Sequence, residues 1–247
     1  DYLQPLDDRL GAWDEWANFP AGMQEMPRYN GSTYGVMYDT DTRLIYYRTD
    51  LFAQAGLPVP WAPTTWEDVL GAATQLRDAT GVAYPMMIQS GSVGGEATTI
   101  SGVLMLLHGA GGTLLDTADR RWVVESPELL DSLKFYERIF TNGLSNADIF
   151  MEPEPWVPYL QEGFPNGDVG LFIGESFFWG LYAPEGAWGM ANRDDVVGWA
   201  PMPAQAPGAA PARPFQAAAP WPSDNPHLAR SGERRPLLAH CRLPGAT

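Results

Sequence analysis

Carboxylates and aromatic rings sit side by side at two places in this 247-residue chain, and a lone acid and a lone ring add two further candidates. Tyr38, Asp39 and Asp41 precede a run of β-prone residues. Glu96 follows Gly94-Gly95. Glu175, Ser176, Phe177 and Trp179 follow the apolar run Val169–Ile173, and Trp221 stands apart in a proline-rich stretch. Residues of these types support three kinds of chemistry. Flat rings stack on sugars while carboxylates accept hydrogen bonds from neighbouring hydroxyls. Acids and rings in one cleft also hold polyamines. Two carboxylates flanking a scissile bond can hydrolyse a glycoside, with Asp39 and either Glu175 or Glu96 as the candidate pair. With 30 acidic residues in the chain, such pairs arise readily by chance, which weakens this third reading. Each group also has a structural alternative: a solvated turn, a plain loop, or rings spent on core packing.

Other chemistries find little support. The histidines are His108, His227 and His240, and the single cysteine is Cys241, so no zinc spacing and no internal disulfide can be drawn. No metal and no cofactor is therefore expected. Gly91-Ser92-Val93-Gly94-Gly95 lacks a phosphate-binding lysine and the strand–helix setting of a nucleotide loop. No nucleophile elbow or metalloprotease motif occurs. Tyr46 and Tyr47 are adjacent on a strand and so point to opposite faces, which argues against a tyrosine-built iron site. A net charge of −15 argues against a nucleic-acid face and against anionic membranes. No apolar run approaches the roughly 20 residues of a membrane span.

The elements that must position these residues alternate between strand and helix, which predicts an α/β fold. Leu6, Leu10 and Trp13 share a helical face before Pro20, Gly22, Pro27 and Gly31 interrupt it. Arg43–Tyr47 reads as a strand, followed by a helix capped by Thr49 or Asp50 and ended by Gly56 and Pro58. Thr64 and Thr65, with Glu67 and Asp68 three residues on, form overlapping capping boxes. Val69, Ala72, Ala73 and Leu76 then make a helical stripe that Gly81 closes. Tyr84–Ile88 reads as a buried strand, 90–95 as a loop, and Ile100–Leu107 as an apolar helix. Trp122–Val124 reads as a short strand. Ser126 caps a helix with Pro127 in its first turn, its buried face drawn through Leu129, Leu133, Tyr136 and Phe140. Val169–Ile173 and Val196–Ala200 read as strands, with Gly174-Glu175-Ser176 as a turn. Trp66 is expected in the core, and His108 as a satisfied helix-end group. From Pro201 to Thr247 ten prolines interrupt any period. Residues 230–247 read as an irregular tail, with disorder and out-of-frame coding as the two explanations.

The string from Tyr34 to Leu76 resembles the signature of family 1 extracellular solute-binding proteins, the sugar-binding components of bacterial ABC importers. Its pieces are Tyr34-Gly35-Val36-Met37-Tyr38-Asp39, Arg43-Leu44-Ile45-Tyr46-Tyr47-Arg48, Ala55-Gly56-Leu57-Pro58 and Pro63-Thr64-Thr65-Trp66-Glu67-Asp68. The resemblance returns at Val124–Glu128 with Leu133–Tyr136, at Phe164–Trp179, at Gly198–Pro203 and at Ser223–Ala229. It implies a periplasmic-binding-protein-like type II two-lobe fold with mostly the second lobe present. Residues 1–37 would be a remnant of the first lobe and crossover, 38–198 the second lobe, and 199–229 the return crossover.

The resemblance further implies no enzymatic activity, and a monomer that closes around a sugar and hands it to permease subunits. The location implied is periplasmic or extracellular, with or without a lipid anchor, reached by a leader this sequence does not show. Ligand contacts would come from Tyr38, Asp39, Asp41, Glu96, Glu175, Ser176, Phe177, Trp179 and Trp221. Either Phe177 or Trp179 would supply the stacking ring. A polyamine or polyol ligand, a carbohydrate-active enzyme, and a non-functional fragment of such a gene are the alternatives.

Overall fold

The computed structural model describes residues 3–37, 41–92, 98–116, 118–151, 154 and 156–208. Tyr38, Asp39, Glu96, Trp221 and the tail from residue 209 onward lie outside the described residues. Two compact units divide between Tyr38 and Asp39.

The smaller unit contains helices α1 (Asp7–Gly11) and α2 (Ala21–Glu25) and the hairpin β1 (Arg28–Tyr29) with β2 (Ser32–Thr33). Asn30 and Gly31 both take positive φ between the paired Tyr29 and Ser32, the two-residue turn that Asn-Gly favours. The Leu6 amide donates to the Thr33 carbonyl at 2.8 Å, and the Thr33 amide donates to the Asp7 carboxylate at 3.1 Å. The expected face of Leu6, Leu10 and Trp13 is thus cut short: Leu10 is buried, whereas Trp13 is exposed beside Trp16 and Phe19.

The larger unit runs through β3 (Arg43–Arg48), α3 (Thr49–Gln54), α4 (Trp66–Thr80), β4 (Tyr84–Met87) and α5 (Met105–Gly109). It continues through the hairpin β5 (Leu115–Asp116) and β6 (Arg121–Trp122) to α6 (Pro127–Thr141) and α7 (Phe164–Asn166). It ends with β7 (Val169–Glu175), α8 (Phe178–Leu181), α9 (Arg193–Val196) and β8 (Val197–Pro201). Four strands form one sheet in the order β4-β7-β3-β8. β4 and β7 are parallel, while β3 runs antiparallel to both β7 and β8.

Side-chain alternation divides the core between the two faces of this sheet. Ile45, Tyr47, Leu171, Ile173 and Ala200 pack with Val69, Ala73 and Leu76 of α4, Leu106 of α5, and Phe135 and Ile139 of α6. Tyr46, Phe172 and Val197 pack on the other face with Tyr159, Phe164, Phe178 and Tyr182. The adjacent tyrosines therefore serve opposite cores and both are buried. Burial of each large apolar side chain contributes about 1.5–3 kcal/mol, so both faces are needed to hold the sheet.

Local chemistry sets the helix ends. Thr65 accepts from the Asp68 amide and Asp68 reaches back to the Thr65 amide, so α4 starts in a reciprocal box. Gly81 ends it at φ 68°. Ser126 caps α6. The cap expected for α3 does not form. Arg48 occupies that position, and Asp50 instead receives the Arg48 guanidinium at 2.9 and 2.7 Å. The same guanidinium donates to the Phe164 and Pro165 carbonyls at 2.9 and 3.1 Å, which explains how a buried arginine is tolerated. The expected Ile100–Leu107 helix is split into a wide π-type turn, Thr98–Leu104, followed by α5. The expected 174–176 turn is shorter than predicted, because Gly174 and Glu175 continue β7.

Candidate functional site

The register places the start of β3 and the ends of β7 and β8 together, since Arg43 pairs with Glu175 and Leu44 with Pro201. β4 ends alongside β7 in the same direction. The loops before β3 and after β4, β7 and β8 therefore leave from one end of the sheet. In open α/β sheets, ligands bind outside the carboxyl ends of the parallel strands, here those of β4 and β7.

Three of the acidic and hydroxyl residues singled out from the sequence meet at that end. Asp41 Oδ1 accepts from the Ser176 amide at 2.7 Å and from the Ser176 hydroxyl. Asp41 Oδ2 accepts from Arg43 Nη1 at 2.9 Å. Arg43 Nε lies 3.4 Å from Glu175 Oε1 and donates to Ser101 Oγ at 2.8 Å. Ser101 in turn donates to Glu175 Oε1. The Ser176 amide also donates to the Thr42 carbonyl at 2.8 Å. The guanidinium thus sits between two carboxylates, closed off by two serines, and the three charged groups are largely buried.

Tyr46 supports the cluster from beneath. Its hydroxyl lies 3.2 and 3.1 Å from the Glu175 and Ser176 carbonyls and donates to them. Burial pushes the phenol up to about 12, and the charges of Asp41 and Glu175 act in the same direction.

The two candidate rings part company. Phe177 is 54 % exposed and lies flat against Phe178, with centroids 4.8 Å apart. Trp179 packs partly against the second core, and the Arg193 guanidinium lies 4.0 Å from its ring centroid. Arg193 also donates to the Trp179 carbonyl at 2.8 Å. One face of Trp179 is thereby covered, whereas Phe177 presents its ring outward.

Sequence reasoning missed Arg43 and Ser101. Arg43 reads as the first residue of a strand, and Ser101 as a small residue in an apolar helix. Only the topology joins them to Glu175. His108, by contrast, is the satisfied helix-end group expected, its Nδ1 3.1 Å from the Gly112 carbonyl. A shallow groove of about 580 Å³ lies elsewhere, over the outer surface of α4 between Glu67, Thr74, Asp78 and Arg138. It contains none of the candidate ligand contacts. Among the described residues, no group of three or more histidines, cysteines or acids is placed to hold a metal. No described helix is long and apolar enough to cross a membrane.

Comparison with known proteins bears on the family and the fold. The sequence model of the bacterial extracellular solute-binding protein family matches residues 1–231. A binding protein of Brucella abortus (strain 2308) is 26% identical over 148 residues, covering 60% of this chain and 34% of that protein. An ABC transporter solute-binding protein from Thermotoga lettingae, bound to α-D-tagatose, superposes with TM-score 0.66 at 24% identity over 85% of this chain and 50% of the other. Maltose-bound MalE3 of T. maritima gives TM-score 0.67 at 24% identity over 82% and 48%. A solute-binding protein from Agrobacterium vitis with bound D-mannitol gives 0.60 at 23% identity over 82% and 46%. At these identities the structures share the fold. The chain spans about half the length of these solved relatives and about a third of the curated one.

Proposed function

The chain belongs to the bacterial extracellular solute-binding proteins, and from that premise we propose that it captures a sugar or polyol and delivers it to the permease of an ABC importer. The family is one of binding proteins rather than enzymes. The observation that carries the reading is the exposed Phe177 ring, held at the carboxyl end of β7 beside the Asp41–Ser176 bonds. A flat apolar face next to fixed hydrogen-bonding groups is what a polyhydroxylated solute needs. Tagatose, maltose and mannitol occupy relatives of the same fold, so sugars and linear polyols are the ligand class to test.

On this reading Phe177 stacks on the ligand, and Asp41, Ser176 and Glu175 order the turn that carries it. Tyr38, Asp39, Glu96 and Trp221 remain candidate contacts. The protein acts as a monomer without nucleic acid, in the periplasm or at the cell exterior, with or without a lipid anchor.

The test is a thermal-shift and calorimetric screen of this chain against monosaccharides, oligosaccharides and polyols. A ligand at about one hundred times its Kd adds about 2.7 kcal/mol of stability, which is readily seen. A saturable shift with one of these ligands is expected. A folded chain silent to every sugar and polyol overturns the reading.

A further inference from the structure

An ammonium ligand is recognised by carboxylates that lack another cation and by open aromatic faces. The strand-end site offers both residue types, and the sequence alone therefore leaves a polyamine ligand open. The structure shows where those groups are already directed. Asp41 and Glu175 both face the Arg43 guanidinium, at 2.9 Å from Nη1 and 3.4 Å from Nε. The neighbouring ring, Trp179, carries the Arg193 guanidinium over its face at 4.0 Å. Arg193 is anchored there by the Trp179 carbonyl at 2.8 Å and by Asp194 at 2.8 Å. Two side-chain cations thus occupy two places where a ligand cation would bind. What is left open at this end is Phe177, an exposed ring stacked on another ring, Phe178.

We propose that Arg43 and Arg193 are specificity-determining residues that act as internal cations, so that the site rejects ammonium ligands and takes uncharged ones. The proposal deepens the sugar-binding reading above and rests on it. An incoming ammonium would have to displace a guanidinium already bonded to Asp41 and Glu175, or already seated on the Trp179 ring and paired with Asp194, before it could take those partners itself. An uncharged polyol meets no such barrier and can still stack on Phe177.

The experiment compares the full chain with R43Q, R193Q and Arg43→Lys, each titrated with 1,4-diaminobutane and with D-mannitol and maltose. The parent chain is expected to bind the diamine at least about tenfold more weakly than its best sugar or polyol. R43Q and R193Q are each expected to gain diamine affinity, by roughly tenfold. Arg43→Lys keeps the charge and is expected to go on rejecting the diamine. A gain separates the proposal from a structural role, because loss of structure can only weaken binding. Should R43Q fail to fold by circular dichroism, R193Q carries the test alone. Diamine binding by the parent as tight as sugar binding overturns the proposal, and so do folded variants that gain nothing. A parent silent to all sugars and polyols, with variants that still gain the diamine, sinks the sugar reading and leaves the arginines' role standing.

Discussion

Arg43 and Glu175 stand directly opposite each other across the antiparallel pair β3–β7, and their side chains meet with Nε 3.4 Å from Oε1. Both side chains are about nine-tenths buried. A buried ion pair adds little net stability over an apolar replacement, but removing one partner strands the other charge. Arg43→Met strands two carboxylates at once, Asp41 and Glu175, and is expected to cost about 3 kcal/mol. Glu175→Gln keeps an acceptor for Ser101 and leaves Arg43 paired with Asp41, so its cost is expected near about 1–2 kcal/mol. Urea unfolding of the parent and the two variants checks the order. Equal losses in the two variants would show that Arg43 does not serve both acids.

The Tyr46 phenol makes stability depend on alkaline pH. Its folded pKa is raised by burial to about 12, above the ordinary value of 10.0. The neutral phenol is thus favoured by folding, and the stability it contributes is complete below about pH 10 and is lost as pH rises through about 12. Burial also raises Tyr136 and Tyr182, which reinforces the trend. A tenfold change in the acidity of such a phenol corresponds to about 1.4 kcal/mol. Tyr46→Phe is expected to cost about 1 kcal/mol near neutral pH, through the lost bonds to the Glu175 and Ser176 carbonyls, and to flatten part of the alkaline fall. Unfolding midpoints across that window, with phenolate absorbance recorded in parallel, test this.

How far the sequence discloses the fold depends on whether the signal is local. Helix α4 is legible because Thr65, Asp68 and Gly81 fix its ends by chemistry within one turn. In α6 the ends are legible and the face only in part, since Tyr136 and Phe140 pack against the core as expected. The spacing favours Leu129, Leu133, Tyr136 and Phe140, whereas Ser132, Phe135 and Ile139 are the buried residues and Leu133 is 51% exposed. Ser132 can be buried because its hydroxyl donates to the Glu128 carbonyl at 2.8 Å, a bond that hydrophobic periodicity does not register. Asn30-Gly31 is a local hairpin signal, but the strands it joins are two residues each, too short to show alternation. The Arg43–Ser101–Glu175 cluster has no local signature at all, since strand register and the wide turn at Thr98–Leu104 bring its members together.

Gly198 on β8 faces the ring of Tyr47 across the ladder. A Cβ there would overlap the Tyr47 ring, whose hydroxyl also accepts from the Trp61 amide at 3.0 Å. That bond and the packing of Phe52 at 4.5 Å hold the ring in place. Gly198→Ala is therefore expected to cost about 1–3 kcal/mol, the usual penalty for overpacking a filled core. Thr65→Ala, which removes only the α4 cap, is expected to cost about 1 kcal/mol. Thermal unfolding of the two variants separates them, and an unperturbed Gly198→Ala would show that β8 can move off Tyr47.

Phe177 and Trp179 are two residues apart, and their substitution separates a ligand contact from a packing residue. Phe177 is half exposed and lies against the face of Phe178. Its replacement by alanine removes little buried area, so the cost in stability is expected below about 1 kcal/mol. If its ring stacks on a sugar, the same variant loses roughly tenfold in affinity, equivalent to about 1.4 kcal/mol. Trp179 packs against the second core and holds the Arg193 guanidinium over its ring. Trp179→Ala is expected to cost about 2–4 kcal/mol in stability, since both the packing and the seat of Arg193 are lost. The decisive comparison is the ratio of affinity loss to stability loss in the two variants, measured by calorimetry and by urea unfolding on the same preparations. A high ratio for Phe177→Ala and a low one for Trp179→Ala assigns the stacking ring to Phe177. The reverse order would place the ligand on the opposite side of the turn and make the contact between Trp179 and Arg193 part of its seat.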